Sequence, residues 1–130
     1  MRAVRWPRQL IVGLMALGAG ADVSVKDVMD AMVIPQADAL FNVGREVPGT
    51  DDAWTLLLNQ SIILVEAGRV LTIPGRSRGA DWDDAAKAMS SAAADAVDAV
   101  KARDVDRILD SGNVLIETCS ACHAKFLNSD

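Results

Sequence analysis

The stretch VDRILDSGNVLIETCSACHAKFL, residues 105–127, decides the fold and the chemistry that this chain can carry. Its apolar residues recur three and four positions apart, the spacing that places side chains on one face of an α-helix. Asp104 precedes the pattern as a good N-cap, and Gly112 interrupts it at some cost in helix propensity. The pattern predicts a helix over residues 105–127.

The end of this helix carries Cys119-Ser120-Ala121-Cys122-His123, a C-x-x-C-H motif that uses both cysteines and the only histidine of the chain. This motif is the attachment signature of a covalently bound c-type haem. Because positions three and four apart share a helix face, Cys119, Cys122 and His123 point the same way. We therefore predict thioether bonds from the two thiols to the porphyrin vinyl groups, with His123 as an axial ligand of the iron.

The same three side chains allow other interpretations. A redox-active C-x-x-C pair usually opens a helix that follows a strand, and no strand pattern surrounds these cysteines. The cysteines could also form a structural disulfide across a short loop. A zinc site would need a fourth ligand to complete a tetrahedron, and the chain has no further cysteine or histidine to supply it.

The rest of the chain predicts one all-α domain. Its 130 residues suffice for a single domain with a real core. The chain has no tyrosine and two phenylalanines, and its β-branched residues are scattered rather than alternating. Apolar periodicity predicts three further helices, over residues 24–41, 51–71 and 81–103. Short links between the last three helices favour an antiparallel up-down-up-down four-helix bundle, with the haem near one end of the last helix.

Several local features refine this bundle. The expected N-caps are Ser24, Thr50 or Asp51, and Asp81. Pro35 lies inside the first helical pattern and predicts a kink or break near residues 33–35. The third helix carries a stripe of small residues that permits close approach of a neighbour. The second helix is apolar on more than one face, which indicates either a homodimer interface or a central helix covered within the monomer.

Residues 1–21 resemble a secretory signal peptide. Three arginines within the first eight residues precede an apolar run that ends in Ala19-Gly20-Ala21, an A-x-A cleavage site. The mature domain would then span residues 22–130. An uncleaved membrane anchor is the alternative, but the run is shorter than the roughly twenty apolar residues that span a bilayer. Since haem c is attached outside the bacterial cytoplasm, we expect a soluble periplasmic protein without stable membrane insertion.

Signal cleavage makes the charge balance more acidic. The full chain has 13 basic and 18 acidic side chains, and loss of the three leader arginines leaves 10 against 18, a net charge of −8. An acidic surface disfavours nucleic acids and anionic membranes. It suits encounter with a basic redox partner, and it also serves simple solubility.

A C-x-x-C-H motif on the last helix of a small four-helix chain resembles the cytochrome c′ family, because most other small c-type cytochromes carry the motif near the N-terminus. Residues 25–29, VKDVM, and 35–41, PQADALF, resemble a proteobacterial branch of that family. Trp54 in the second helix and the turn IPG at 73–75 do so too. The resemblance extends over the whole mature chain.

This resemblance implies one covalent haem c, held by the two cysteines and the histidine of the motif. Phe126, three residues after the histidine, matches an aromatic residue common there in the family. Leu127 occupies the next position, where the family often has a basic residue. Lys125 or Arg69 would instead lie near a haem propionate or the proximal face.

The resemblance also directs attention to the sixth coordination position of the iron, which faces the first helix. High-spin family members place an apolar side chain there, whereas low-spin relatives place a methionine thioether on the iron. Met29 and Met32 are three apart and can share a face. Met29 stands where the branch places methionine, so we assign the sixth position to it, with Met32 and simple core packing as alternatives.

These features together predict an electron-transfer protein that works with redox partners not identified by the sequence. The alternative is a five-coordinate haem protein that sequesters nitric oxide or carbon monoxide. An enzyme is not expected, because no second histidine exists to act as an acid or base.

Overall fold

Helices form the whole regular structure of residues 22–127, which are the residues that the computed structural model describes. In this range there is no strand. The elements are α1 (Val25–Val28), a π-helical segment (Met29–Val33), α2 (Ile34–Phe41), α3 (Asp51–Val70), α4 (Ala80–Lys101) and α5 (Val105–Phe126). The first three follow one another without interruption and form one first helical segment, so the prediction of an all-helical, four-segment fold is confirmed.

The predicted signal peptide, residues 1–21, lies outside the described residues, and so does the alternative of a membrane anchor there. No helix within 22–127 is both long enough and apolar enough to cross a membrane.

Three of the four helix starts use the N-caps that the sequence predicted. The Ser24 hydroxyl accepts a hydrogen bond from the Asp27 amide at 3.1 Å, and the Asp27 carboxylate accepts one from the Ser24 amide at 2.9 Å. This reciprocal pair is a capping box. Thr50 and Asp104 each accept from the amide three residues on, at 3.2 and 3.1 Å. These side chains satisfy amides that the first helical turn leaves without partners.

The predicted N-cap of the third helix, Asp81, is wrong. Helix α4 begins one residue earlier, at Ala80, and its N-cap is Gly79 with a φ of +103°. Glycine adopts this backbone conformation at little cost, so the chain enters the helix before Asp81 is reached. Asp81 therefore lies in the first turn, where its carboxylate pairs with Lys125 at the end of α5.

Pro35 does not break the first helical segment. Instead, the π-helical segment ends two residues before it, and the Ile34 amide donates to the Met29 carbonyl, five residues back. Proline cannot donate to a carbonyl one turn back, and its ring crowds that carbonyl. The wider turn accommodates a residue that cannot donate this hydrogen bond. Of the expected kink or break near residues 33–35, the break does not occur, and the helix instead changes type locally from Met29 onward.

Helices α3 and α4 pack closely along a line that we call the α3–α4 seam, formed by Val65, Gly68, Ala86 and Ser90. A Cβ atom on Gly68 would lie 2.0 Å from the Ser90 Oγ and 2.7 Å from the Ala86 carbonyl oxygen. The Ser90 hydroxyl donates to the Val65 carbonyl at 2.7 Å. The predicted small-residue stripe is confirmed at Ala92, Ala93 and Ala96, which are buried, whereas Ala85 is only partly buried. Ala86 and Ala99, which the pattern did not single out, are buried as well.

Two surfaces remain apolar and exposed. On α3, Leu64 is fully buried, whereas Leu56 and Ile62 are 59% and 43% exposed. The second apolar face of this helix is therefore not covered within the monomer. On α5, Ile116 was expected on the core face but is 47% exposed, because it follows the buried Leu115 and is turned away from the core.

Candidate functional site

The C-x-x-C-H motif lies near the C-terminal end of α5, where all three of its functional side chains reach one cavity. This inner cavity has a volume of about 210 Å³. Apolar side chains of the other helical segments form most of its walls. The full lining is Met29, Val33, Ile34, Ala37, Asp38, Phe41, Leu71, Ala85, Ala86, Met89, Thr118, Cys119, Cys122 and His123.

A second, outer cavity of about 370 Å³ adjoins the first, since both are lined by Met29, Ile34, Cys122 and His123. The outer cavity has more charged lining residues than the mostly apolar inner one, where Asp38 is the acidic residue. Its remaining lining is Val25, Lys26, Asp30, Arg78, Trp82, Phe126 and Leu127. The two cavities therefore lie side by side, one mostly apolar and the other with several charged side chains.

Aromatic side chains build a fixed wall of the outer cavity. Trp82 is 4% exposed, and its indole N–H donates to the Leu71 carbonyl at 2.8 Å. The Phe126 ring meets the Trp82 ring edge to face, with centroids 5.1 Å apart. On the other side, the Arg78 guanidinium lies 5.0 Å from the Trp82 ring centroid. The hydrogen bond and both ring contacts hold Trp82 in place beside His123, which lines the same cavity.

The two thiols have the properties of unreactive, half-buried groups. They are not joined by a disulfide. Burial raises the pKa of Cys119, which a hydrogen bond with Thr118 partly offsets. Burial also raises the pKa of Cys122, against a smaller lowering by the charge of Arg78. Both lie near the C-terminal end of a helix, where the helix dipole disfavours a thiolate. A redox-active pair needs a lowered thiol pKa, so this arrangement disfavours that interpretation.

The zinc interpretation also loses support. Among residues 22–127, no group of three or more His, Cys, Asp or Glu side chains is placed to hold a metal ion. A haem iron makes a smaller demand on the chain, because the porphyrin supplies four of its ligands and the protein only the axial ones.

The structure separates the two candidate methionines of the first helical segment. Met29 is the first residue of the π-helical segment, and it lines both cavities together with His123. Met32 packs against the core and lines neither cavity. Met89 on α4 is 6% exposed and also forms part of the inner cavity wall.

The basic residues expected near the site are engaged elsewhere. Lys125 pairs with Asp81, and Arg69 pairs with Glu66 at 2.5 Å. Neither Lys125 nor Arg69 lines the inner or outer cavity. The basic residues that do line the outer cavity are Lys26 and Arg78. Sequence reasoning missed Arg78, because the only signal was a basic loop after α3 without a predicted neighbour.

The donor set and the lining residues fit a covalent haem. Porphyrins of this type carry their vinyl groups on one edge and two carboxylates on the opposite edge. Cys119 lines only the apolar inner cavity, whereas Lys26 and Arg78 line only the charged outer one. His123 and Met29, an imidazole and a thioether, line both cavities and are the two candidate axial ligands.

The fold and site define a helical protein with a C-x-x-C-H motif at the edge of an apolar cavity. No family model, no curated protein and no solved structure matches this chain. The resemblance to the cytochrome c′ family therefore stays a prediction that rests on the residues of the motif and on the helical pattern.

Proposed function

We propose that this protein is a periplasmic c-type cytochrome that carries electrons through one haem c. The haem would be covalently bound by Cys119 and Cys122, with His123 as its axial ligand. One observation carries this proposal: the three side chains of the motif line an apolar cavity that they share with the thioether of Met29. Two thiols, an imidazole and a thioether around a mostly apolar space are the groups that a c-type haem with His/Met ligation needs.

The bound group would supply reversible one-electron chemistry at iron. The chain's own residues would hold and tune it. His123 and Met29 would be the two protein ligands of the iron, and His/Met ligation raises the reduction potential. Apolar walls such as Val33, Phe41 and Met89 limit the access of water, and burial is a second means by which a protein sets the potential.

An antiparallel up-down-up-down bundle is part of this proposal. Arg103, just beyond the end of α4, pairs with Asp51 at the start of α3 at a distance of 2.7 Å. At the opposite end, Trp82 in the first turn of α4 donates to Leu71, just beyond α3. The ion pair between Asp81 and the last turn of α5 relates α4 and α5 in the same way. These contacts support opposite directions for α3 and α4 and for α4 and α5.

The cellular setting follows from the leader. We propose export by the signal peptide of residues 1–21 and action in the periplasm, without stable membrane insertion. The partners would be redox proteins and not nucleic acids, and a second copy of the chain is a further candidate, through the exposed apolar face of α3. We assign no catalytic role, because the only histidine is used as the iron ligand.

Mass spectrometry tests the proposal directly. The full chain should be expressed in a bacterial host with an active cytochrome c maturation system and then purified from the periplasm. We expect the mass of residues 22–130 plus one haem, retained after denaturation, together with an optical spectrum that changes on reduction. A purified periplasmic chain without the added haem mass would overturn the proposal.

A gas-binding function is the second candidate, favoured by the space beside Met29. The inner cavity of about 210 Å³ is mostly apolar and could admit a diatomic gas to an open coordination position. Carbon monoxide added to the dithionite-reduced protein separates the two functions. A rapid and large shift of the Soret band would favour gas binding, whereas an unchanged band would favour six-coordinate electron transfer.

A further inference from the structure

The charged end of the outer cavity contains one cation without an ionic partner. Lys26, Asp30 and Arg78 are its charged lining residues. Lys26 and Asp30 neutralise each other as an ion pair one helical turn apart. None of the ion pairs within residues 22–127 includes Arg78. The cavity therefore offers one uncompensated positive charge, which a bound anionic group could neutralise.

The Arg78 guanidinium is held in a position suited to such a group. It lies 5.0 Å from the centroid of the Trp82 ring, and Trp82 is itself fixed by its hydrogen bond to the Leu71 carbonyl. A guanidinium at the face of an aromatic ring keeps its N–H groups available for hydrogen bonds. Those donors form a planar fork that matches a carboxylate in a bidentate pair.

We propose that Arg78 is a positioning residue that binds a propionate carboxylate of the haem in the outer cavity. This inference rests on the proposed function and adds to it the residue that fixes the carboxylate edge of the cofactor. Both cysteines line the inner cavity, and Cys122 lines the outer one as well, so the vinyl edge would lie at the inner end or where the two cavities adjoin. The carboxylates then extend to the outer end, because burying them among apolar walls without a partner would be costly.

The loop position of Arg78 gives this assignment a structural logic. Arg78 precedes Gly79, the N-cap of α4, whose φ of +103° directs the chain into this helix. Arg78 therefore lies just before the start of α4, the helix that carries Trp82. The guanidinium thus approaches the cavity from the connection between α3 and α4, while the haem would be attached to α5. A pair between Arg78 and a propionate would tie this connection to the cofactor across the bundle.

The test compares Arg78→Gln with Arg69→Gln in the purified holoprotein. Both remove one arginine charge, but Arg69 pairs with Glu66 and lines neither cavity. In Arg78→Gln we expect a lower reduction potential, since a cation close to the iron favours the reduced state. We also expect a shift of the propionate bending band in the resonance Raman spectrum. Arg69→Gln should leave the band unchanged and the potential close to that of the wild type.

Arg78→Lys completes the design. It retains the charge but not the planar fork, so the potential should return toward that of the wild type while the propionate band stays shifted. If Arg78→Gln fails to fold, this variant carries the test through the band alone. A propionate band at the wild-type position in every Arg78 variant that folds would overturn the inference and leave the proposed function intact. A wild-type protein without covalent haem would overturn both.

Discussion

Helix α4 makes two very different contacts, and Ala86 takes part in both. On the α3–α4 seam, the Ala86 carbonyl lies 2.7 Å from where a Cβ atom on Gly68 would stand, so the backbones nearly touch. Ala86 also lines the inner cavity of about 210 Å³, together with residues of the first helical segment and of α5. Close approach follows where both partners present small residues. Where longer side chains such as Met29 and Phe41 line the space beside the helix, a cavity remains.

This contrast predicts that variants at the cavity change what the protein binds, while variants at the seam change how stably it folds. The largest effect should come from Cys119→Ser/Cys122→Ser, which removes both attachment points. We expect complete loss of the haem mass that survives denaturation, because each of the two proposed thioether bonds needs one of these sulfurs. Intact-protein mass spectrometry measures this loss.

Ser120→Ala is the matched control, since Ser120 lies between the two cysteines, is exposed and lines neither cavity. It should retain one haem per chain. Either single cysteine variant should keep one thioether bond. Haem that stays attached to the double variant through denaturation would show that these sulfurs are not the attachment points.

The second effect concerns the spin state of the iron. Met29→Ala should convert a low-spin spectrum of the oxidised protein to a high-spin one, because the thioether that lines both cavities is removed. Met32→Ala is the control, since Met32 packs against the core outside both cavities and should leave the spectrum unchanged. Optical spectra of the oxidised proteins decide the matter.

A low-spin spectrum that persists in Met29→Ala but is lost in Met32→Ala would reverse the assignment of the two methionines. A wild-type protein that is already high-spin would remove Met29 as a ligand and favour the gas-binding alternative.

At the seam, Gly68→Ala should lower stability. A helical Gly→Ala change by itself gains up to about 1 kcal/mol. Here the new Cβ would lie 2.0 Å from the Ser90 Oγ and 2.7 Å from a backbone oxygen. Overpacking of this kind typically costs about 1–3 kcal/mol, and a clash with a backbone atom belongs at the upper end of that range, so we expect a net loss of about 2 kcal/mol in the free energy of unfolding. Chemical denaturation of the holoprotein measures it, and the haem spectrum should stay unchanged.

Gly49→Ala is a suitable control, because nothing lies within 4 Å of the Cβ position there. It should change stability by less than about 0.5 kcal/mol. The double variant Gly68→Ala/Ser90→Ala removes the contact with Oγ but keeps the one with the Ala86 carbonyl, so it should recover only part of the loss. A Gly68→Ala variant as stable as the wild type would mean that the seam is looser than the structure has it.

Local sequence signals predicted the helices well, because they act within one turn. Ser24, Thr50 and Asp104 cap as expected, since an N-cap bonds to an amide only two or three residues away. The prediction of Asp81 as an N-cap was wrong for an equally local reason. Gly79 adopts a positive φ and starts the helix earlier, which the composition of the turn did not reveal. The π-helical segment before Pro35 was missed because proline indicates a disturbance without fixing its form.

The candidate site was only partly predictable. The C-x-x-C-H motif identified Cys119, Cys122 and His123 as the candidate site residues of α5, and helical spacing placed them on one face. The neighbours from other elements, such as Trp82, Met89 and Arg78, depend on how four segments pack around a cavity. Periodicity cannot supply that arrangement, since it fixes which face of a helix is apolar and not what that face meets. Ile116 shows the limit even within α5, where an apolar residue of the pattern lies exposed.

The smallest effect should come from the ion pair of Asp81 and Lys125, which closes the outer cavity's aromatic wall from the surface. The hydrogen bond and charge of Lys125 lower the pKa of the Asp81 carboxyl. A carboxyl whose folded pKa lies below its unfolded value stabilises the fold at pH above the unfolded value, and this contribution is lost as the pH falls through the folded one. Lys125→Gln should therefore raise the pKa of Asp81 toward its ordinary value and flatten the loss of stability in that acidic window.

Asp27 provides an internal control for this last measurement. Its pKa is also lowered, but by hydrogen bonds from the Ser24 hydroxyl and amide rather than by Lys125. In a carbon-detected NMR titration of the carboxyl groups of the reduced holoprotein, Lys125→Gln should move the Asp81 midpoint upward and leave the Asp27 midpoint in place. Added salt should reduce the difference at Asp81, because both side chains are exposed and their attraction is screened. If the Asp81 midpoint does not move, the contact between the ends of α4 and α5 is not maintained in solution, and the Trp82–Phe126 wall must hold these helix ends together without it.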